Sequence, residues 1–311
     1  MSHNPCRIAL MARLLLLALV IPLAACKSNK PAIETFATPD NAGDALLAAA
    51  KSGDQATLLQ IFGPDSKDLI SSGDPVQDKN TLATFVTGYG VMHRWRKMPD
   101  GSQILLIGYD NFPFPIPLKK NDSGQWVFDT AAGKEEILNR RIGRNELAII
   151  DVSEAAANAQ AEYFSQLHDG ATTKQYAQKF ISDTGKHNGL YWDSINGQPQ
   201  SPLGPLVAFA TAEGYTAKAD AHTPFHGYYF HMLKGQTSNA PDGAKDYVVN
   251  GQMTNGFAFV AYPAEYGNSG VMTFIIDKDG VLLQKDLGNT TTATATAMTK
   301  FDPDKTWTVV E

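Results

Sequence analysis

The sequence predicts an α+β protein, and three observations carry the prediction. Apolar residues recur at helical spacing behind capping residues between Thr38 and about Arg94. A strand meander follows over roughly 103–130. The densest strand signal in the chain lies between Pro224 and Gly288, where β-branched and aromatic residues are cut into short pieces by glycine-rich turns.

The first residues are expected to lie outside the fold. Arg7 and Arg13 precede an apolar run, Leu14 to Ala25, that is too short for a bilayer-spanning helix. It ends Leu23-Ala24-Ala25-Cys26, which resembles a bacterial lipobox. That resemblance implies a signal peptide over 1–25 and lipidation of Cys26, the only cysteine besides Cys6. Lys27 in place of aspartate favours outer-membrane export, by resemblance to enteric lipoproteins. The alternative is ordinary cleavage after Ala25. The 311 residues carry 26 Lys and Arg against 32 Asp and Glu. Loss of two leader arginines would move the net charge from −6 to −8. Such a balance argues against a nucleic-acid partner. With one cysteine left, no disulfide can form within the mature chain.

Residues 26–38 read as a tether, and 39–130 as an N-terminal α+β domain. Thr38-Pro39 opens a first helix with a hydroxyl cap and proline at its first position. A second helix follows Asp54 and stops at Gly63-Pro64. A third is expected from Asp78 to about Arg94, weakened by Gly88 and Gly90. Strands are expected at Gln103–Asp110, at Phe114–Lys120 on an edge because of its prolines, and at Gln125–Thr130. This order is loosely similar to the cystatin and NTF2-like folds.

Residues 131–144 read as a helical connector that Gly143 breaks or kinks. Its arginines, Arg140, Arg141 and Arg144, are candidates for an anion site; the plainer reading pairs them with Glu135, Glu136 and Glu146. A domain over 145–288 follows. Its helix should lay Leu147, Ile150, Ala156, Ala159 and Tyr163 on a sheet with strands near 226–233, 246–252, 256–262, 270–276 and 281–286. Lys278-Asp279-Gly280 should close a hairpin. Residues 289–311 read as a threonine-rich linker and a last strand.

Two resemblances follow from these residues. NAQAEYFSQL, then GYYFHML and GFAFVAYPAEYGNSGVMTFIIDKDGV, resemble the globular domain of type IV pilins and type II secretion pseudopilins over about 145–288. The polar Asp151, Ser153, Glu154, Asn158 and Gln160 depart from a pilin's filament helix. WVFDTAAGKEEILNRRIGRNELA, GLYW, SPLGPL, FVAYPAEYGNSGVMTFI and KDLG make nearly the whole mature chain similar to an uncharacterised family of exported bacterial proteins, classed as a domain of unknown function. That likeness implies an address and an architecture, and no mechanism.

Motifs with chemistry are sparse. Gly267-Asn268-Ser269-Gly270 reads as a turn, because the histidine and aspartate motifs of a serine protease are missing upstream. His222, His226 and His231 cluster without a carboxylate at ligand spacing, and Asp277 and Asp279 lack the rest of a calcium loop. No metal and no cofactor is expected. The long loop carrying Tyr191, Trp192, Pro202, Leu203 and Pro205 reads either as a docking surface for an envelope partner or as a plug for the sheet edge. The expectation is a non-enzymatic, lipid-anchored envelope protein acting through protein contacts. The alternative is a small-molecule or glycan binder, or a hydrolase, with a pocket near His93, Asp110 and Asp129. An apolar cavity with converging polar groups would favour that alternative.

Overall fold

The computed structural model describes residues 33–194, 200–217 and 223–310. Two of the expected helices start where their caps stand. Thr38 accepts the Asn41 amide ahead of α1 (Pro39–Ser52), and Asp54 accepts that of Ala56 ahead of α2 (Gln55–Phe62). A short α3 (Lys67–Ile70) follows. Then Asp74, with proline behind it, caps α4 (Pro75–Val91) through the amides of Val76 and Gln77. This helix therefore starts earlier than Asp78. It also ends before Arg94, because Met92 turns extended and the chain enters β1 (His93–Lys97).

The N-terminal sheet has the order β1, β2 (Gln103–Ile107), β4 (Leu118–Lys120), β5 (Trp126–Phe128), with β3 (Phe112–Pro113) also on β2. The expected edge strand Phe114–Lys120 is corrected here. Its prolines lie outside β4, which sits between β2 and β5. The expected tether also ends early. Glu34 donates to the Gln60 carbonyl, and Phe36 bridges to Trp126 and is buried with the helices.

A single helix, α5 (Thr130–Ser165), covers the expected connector and the start of the expected second domain. Gly143 does not break it. A lone helical glycine costs about 1 kcal/mol against alanine, and anchored side chains on either side, Arg141 and Asn145, outweigh that. The buried stripe is Asn145, Ile149, Val152, Ala156, Ala159 and Tyr163, at intervals of three and four. Leu147 falls off this stripe and is 67% exposed, which corrects its expected place. Two of the polar interruptions point inward. Gln160 pairs its amide with both backbone groups of Ala177, which satisfies it in the core, and Ser153 is fully buried.

After α6 (Gly204–Ala212) comes the main C-terminal sheet. Its order is β15 (Thr308–Val309), β13 (Leu283–Asp286), β12 (Met272–Asp277), β11 (Ala258–Pro263), β6 (Tyr228–Leu233), all antiparallel. The Asp277 carboxylate accepts the Asp279 amide and Gly280 takes a positive φ, so β12 and β13 form the expected hairpin. The expected strand at 246–252 is instead three two-residue pieces: β8 (Lys245–Asp246), β9 (Val248–Val249) and β10 (Gln252–Met253). Asn250 and Gly251 both take positive φ and fold β9 onto β10, which a continuous strand forbids. The threonine-rich stretch is not an open linker. Thr291–Ala297 form α7, with Thr291 and Ala295 buried one turn apart, and β14 (Lys300–Phe301) runs parallel to β7 (Gly235–Gln236).

Phe257, Phe259 and Phe274 share one core with Ile149, Ala156 and Tyr163 of α5. A separate core lies between α1, α2 and the first sheet, around Leu46, Leu58, Ile61 and Phe128. Both belong to one compact unit. No described helix is long and apolar enough to cross a membrane.

Candidate functional site

The N-terminal half carries a pocket that opens to solvent. Between α1, α2, α4, the β3–β4 segment and the first half of α5 lies a cavity of about 500 Å³. Its walls are apolar: Leu46, Leu58, Phe62, Phe85, Phe114 and Ile116. Phe114 packs among three aromatic rings, Phe62 at 6.4 Å, Phe85 at 5.6 Å and Phe128 at 6.2 Å between ring centres. The size falls within the ~300–1,000 Å³ usual for small-molecule sites.

One end of the cavity is polar and joins the two halves of the chain. Gln77 and Asp78 of α4, Arg141 and Arg144 of α5, and Glu213 and His226 from the C-terminal half all line it. Asp74 organises this end. One carboxylate oxygen accepts the amides of Val76 and Gln77, both at 3.1 Å. The other accepts the Tyr215 hydroxyl at 2.8 Å and the Gly227 amide at 2.9 Å. Four donors offset the cost of full burial. Burial and the adjacent Asp74 push the Tyr215 phenol well above its ordinary range, so it stays protonated and donates.

The turn at His226 and Gly227 takes positive φ at both residues. Gly227 has no substitute there, since a Cβ would stand 2.7 Å from Asn145 Nδ2 and 2.9 Å from Ser269 Cβ. His226 Nε2 lies 3.3 Å from Glu213 Oε2, and burial holds the imidazole below its usual range. Asp78 accepts the Ser72 amide with both oxygens, at 3.0 and 3.1 Å, and burial raises its carboxyl.

A relay of amides fixes one further atom. Asn145 Nδ2 donates to the Ser269 carbonyl at 2.8 Å, so Asn145 Oδ1 must accept. Gln77 Nε2 donates to it at 2.7 Å. Gln77 Oε1 is thereby left as an acceptor, and it is buried without a hydrogen-bond partner.

The three arginines do not form a joint anion site. Arg140 pairs with Glu136 at 2.6 Å, as the plainer reading expects. Arg141 is buried and donates to the Asp68 and Leu69 carbonyls, both at 2.7 Å, and to Asn268 Oδ1. It is a staple between α3, α5 and the 267–270 turn. Arg144 alone makes no hydrogen bond or ion pair among the described residues.

The structure scatters most of the other expected site residues. His93, Asp110 and Asp129 do not line the cavity. His93 stacks on Tyr89 at 3.9 Å and Asp129 pairs with Lys119 at 2.8 Å. His231 bonds to the Met298 carbonyl, away from His226, while His222 lies outside the described residues, as does Cys26. Ser269 is buried in its turn, with its hydroxyl on the Glu265 backbone. In the long loop, Trp192 and Leu203 belong to the C-terminal core, Tyr191 and Pro202 are half-buried, and Pro205 is exposed. Trp192 packs its ring edge-on to Tyr163 and His187.

Asp74, Gln77, Glu213 and Tyr215 went unread in the sequence. Asp74-Pro75 carried a usable signal, an aspartate cap followed by proline. Comparison with curated proteins and with solved structures finds no match. The family model described as "Protein of unknown function (DUF2950)" matches residues 33–310, and the chain belongs to that family.

Proposed function

We propose that the protein is a non-enzymatic binder of a small molecule with an apolar body, held at the bacterial cell envelope by lipid on Cys26. One observation carries the binding half of this reading: an apolar cavity of about 500 Å³ with a polar end in the N-terminal core. The pocket opens to solvent, so its apolar walls face water until something apolar covers them. A ligand with an apolar body would remove that surface from water. Two acids at the polar end favour binding over catalysis, since Asp74 and Asp78 are taken up by backbone amides and Tyr215, while Glu213 faces His226. Docking of a protein partner on the Tyr191–Pro205 loop has less support, because Trp192 and Leu203 spend their surface on the core. The envelope half rests on the lipobox-like Leu23-Ala24-Ala25-Cys26 and on Lys27, which favours the outer membrane facing the periplasm.

The test is titration of the purified chain with N-phenyl-1-naphthylamine, an apolar fluorophore. Saturable one-site binding is expected. Leu82→Trp, which fills the cavity from α4, should weaken it at least tenfold while the melting temperature holds. Absence of saturable binding would sink the reading.

A further inference from the structure

We infer that the molecule taken by the cavity carries a cationic ammonium head, received by the Glu213 carboxylate at the polar end, with its apolar body against the phenylalanine-lined walls. This rests on the reading of the cavity as a small-molecule site.

Glu213 stands apart from the other acids of this end. Asp74 is saturated by four donors, and Asp78 holds the Ser72 amide with both oxygens. The Glu213 carboxylate accepts no hydrogen bond among the described residues. Its Oε2 is turned to His226 and closed to solvent, while the side chain as a whole keeps 31% of its surface and lines the cavity. A carboxylate drawn out of water without a full partner is costly, and a cation that donates to it offsets most of that cost. His226 does not supply the charge at neutral pH, because burial holds its imidazole below the usual range.

The balance of charge points the same way. Asp74, Asp78 and Glu213 stand against Arg141 and Arg144, three acids to two bases, and Arg140 is matched by Glu136. Arg141 is buried and tied to the Asp68 and Leu69 carbonyls and to Asn268. Arg144 is exposed, so its guanidinium can stay in water while a head reaches Glu213. An anionic head would add a further negative charge beside Glu213, and a hydroxyl would leave the excess in place. Asn80 adds an acceptor. It lines the cavity, and since its Nδ2 donates to the Glu213 carbonyl at 2.8 Å, its Oδ1 remains to take an N–H. The cavity opens to solvent, so an ammonium there keeps part of its hydration while the chain behind it is covered.

The test compares three probes of one chain length on the purified full chain by calorimetry at neutral pH: decylamine, 1-decanol and decanoate. Decylamine should bind at least tenfold more tightly than either of the others. Glu213→Gln keeps the shape and removes the charge, and the amine's advantage over decanol should vanish in it. Arg144→Gln, an exposed change, removes the opposing charge and should tighten decylamine severalfold relative to decanol. Equal binding of the three, a preference for decanol or decanoate, an advantage that survives in Glu213→Gln, or no gain in Arg144→Gln would each overturn the cationic head while leaving the cavity as a binding site. Binding of none of the three also overturns it; if the fluorophore fails to bind as well, the small-molecule reading falls with it.

Discussion

The Asp74 carboxylate accepts the Tyr215 hydroxyl at 2.8 Å across 141 positions of sequence. The same oxygen takes the Gly227 amide, while its partner oxygen caps α4. One side chain therefore starts a helix in the N-terminal half and holds a turn of the C-terminal half. The polar end of the cavity exists because of this joint.

Substitutions at the joint should separate its two roles. Tyr215→Phe removes the hydrogen bond to the Asp74 carboxylate and the hydroxyl that accepts the His226 amide at 3.3 Å, and should cost about 2 kcal/mol. Asp74→Ala strips the cap and leaves buried donors on both halves unmatched, so about 4 kcal/mol is expected. Urea unfolding of each variant and of the double variant checks this. The two losses should fall well short of adding, because they share one contact.

Cys26→Ser should abolish acylation. Each buried methylene is worth about 0.8 kcal/mol, and stable anchoring takes two chains or more. Cells fed labelled palmitate should mark the parent protein in the membrane fraction. The variant should take no label, and label on it would mean that Cys26 is not the anchor site.

His226 should give the protein an acid-sensitive component. Burial holds its folded pKa below 6.5, with Glu213 and Asp74 opposing that shift and Arg144 adding to it. The unfolded chain then takes up the proton first as pH falls, so stability is lost below about 6.5. His226→Asn keeps a residue that tolerates the positive φ and removes the proton. Denaturant midpoints at pH 7.5 and 5.5 should fall less with acid in the variant than in the parent. An equal fall in both would place the acid sensitivity elsewhere.

Local signals proved readable wherever one residue decides one conformation. Thr38-Pro39 and Asp54 start helices because their side chains satisfy free amides of their own first turns. Gly280 closes its hairpin because only the backbone at that residue has to comply. Gly143 misled for the complementary reason. Its local penalty is real, but Arg141 and Asn145 are anchored by partners more than 70 and 120 residues away. Leu147 misled because an apolar residue names a helical face only when its neighbours at three and four agree, and here Asn145, Ile149 and Val152 set the face.

The sequence by itself determined the α+β class, the starts of α1 and α2 and the last hairpin of the second half. Each of these depends on side chains close together along the chain. Tertiary structure alone decided that the N-terminal core keeps a cavity. Periodicity says which residues avoid water, whereas whether they fill the space between them depends on how Phe62 and Phe85 pack against Phe114. It also decided that Gln77 keeps a free acceptor. That follows from a chain of amides running from Ser269 through Asn145, three residues that no spacing rule connects.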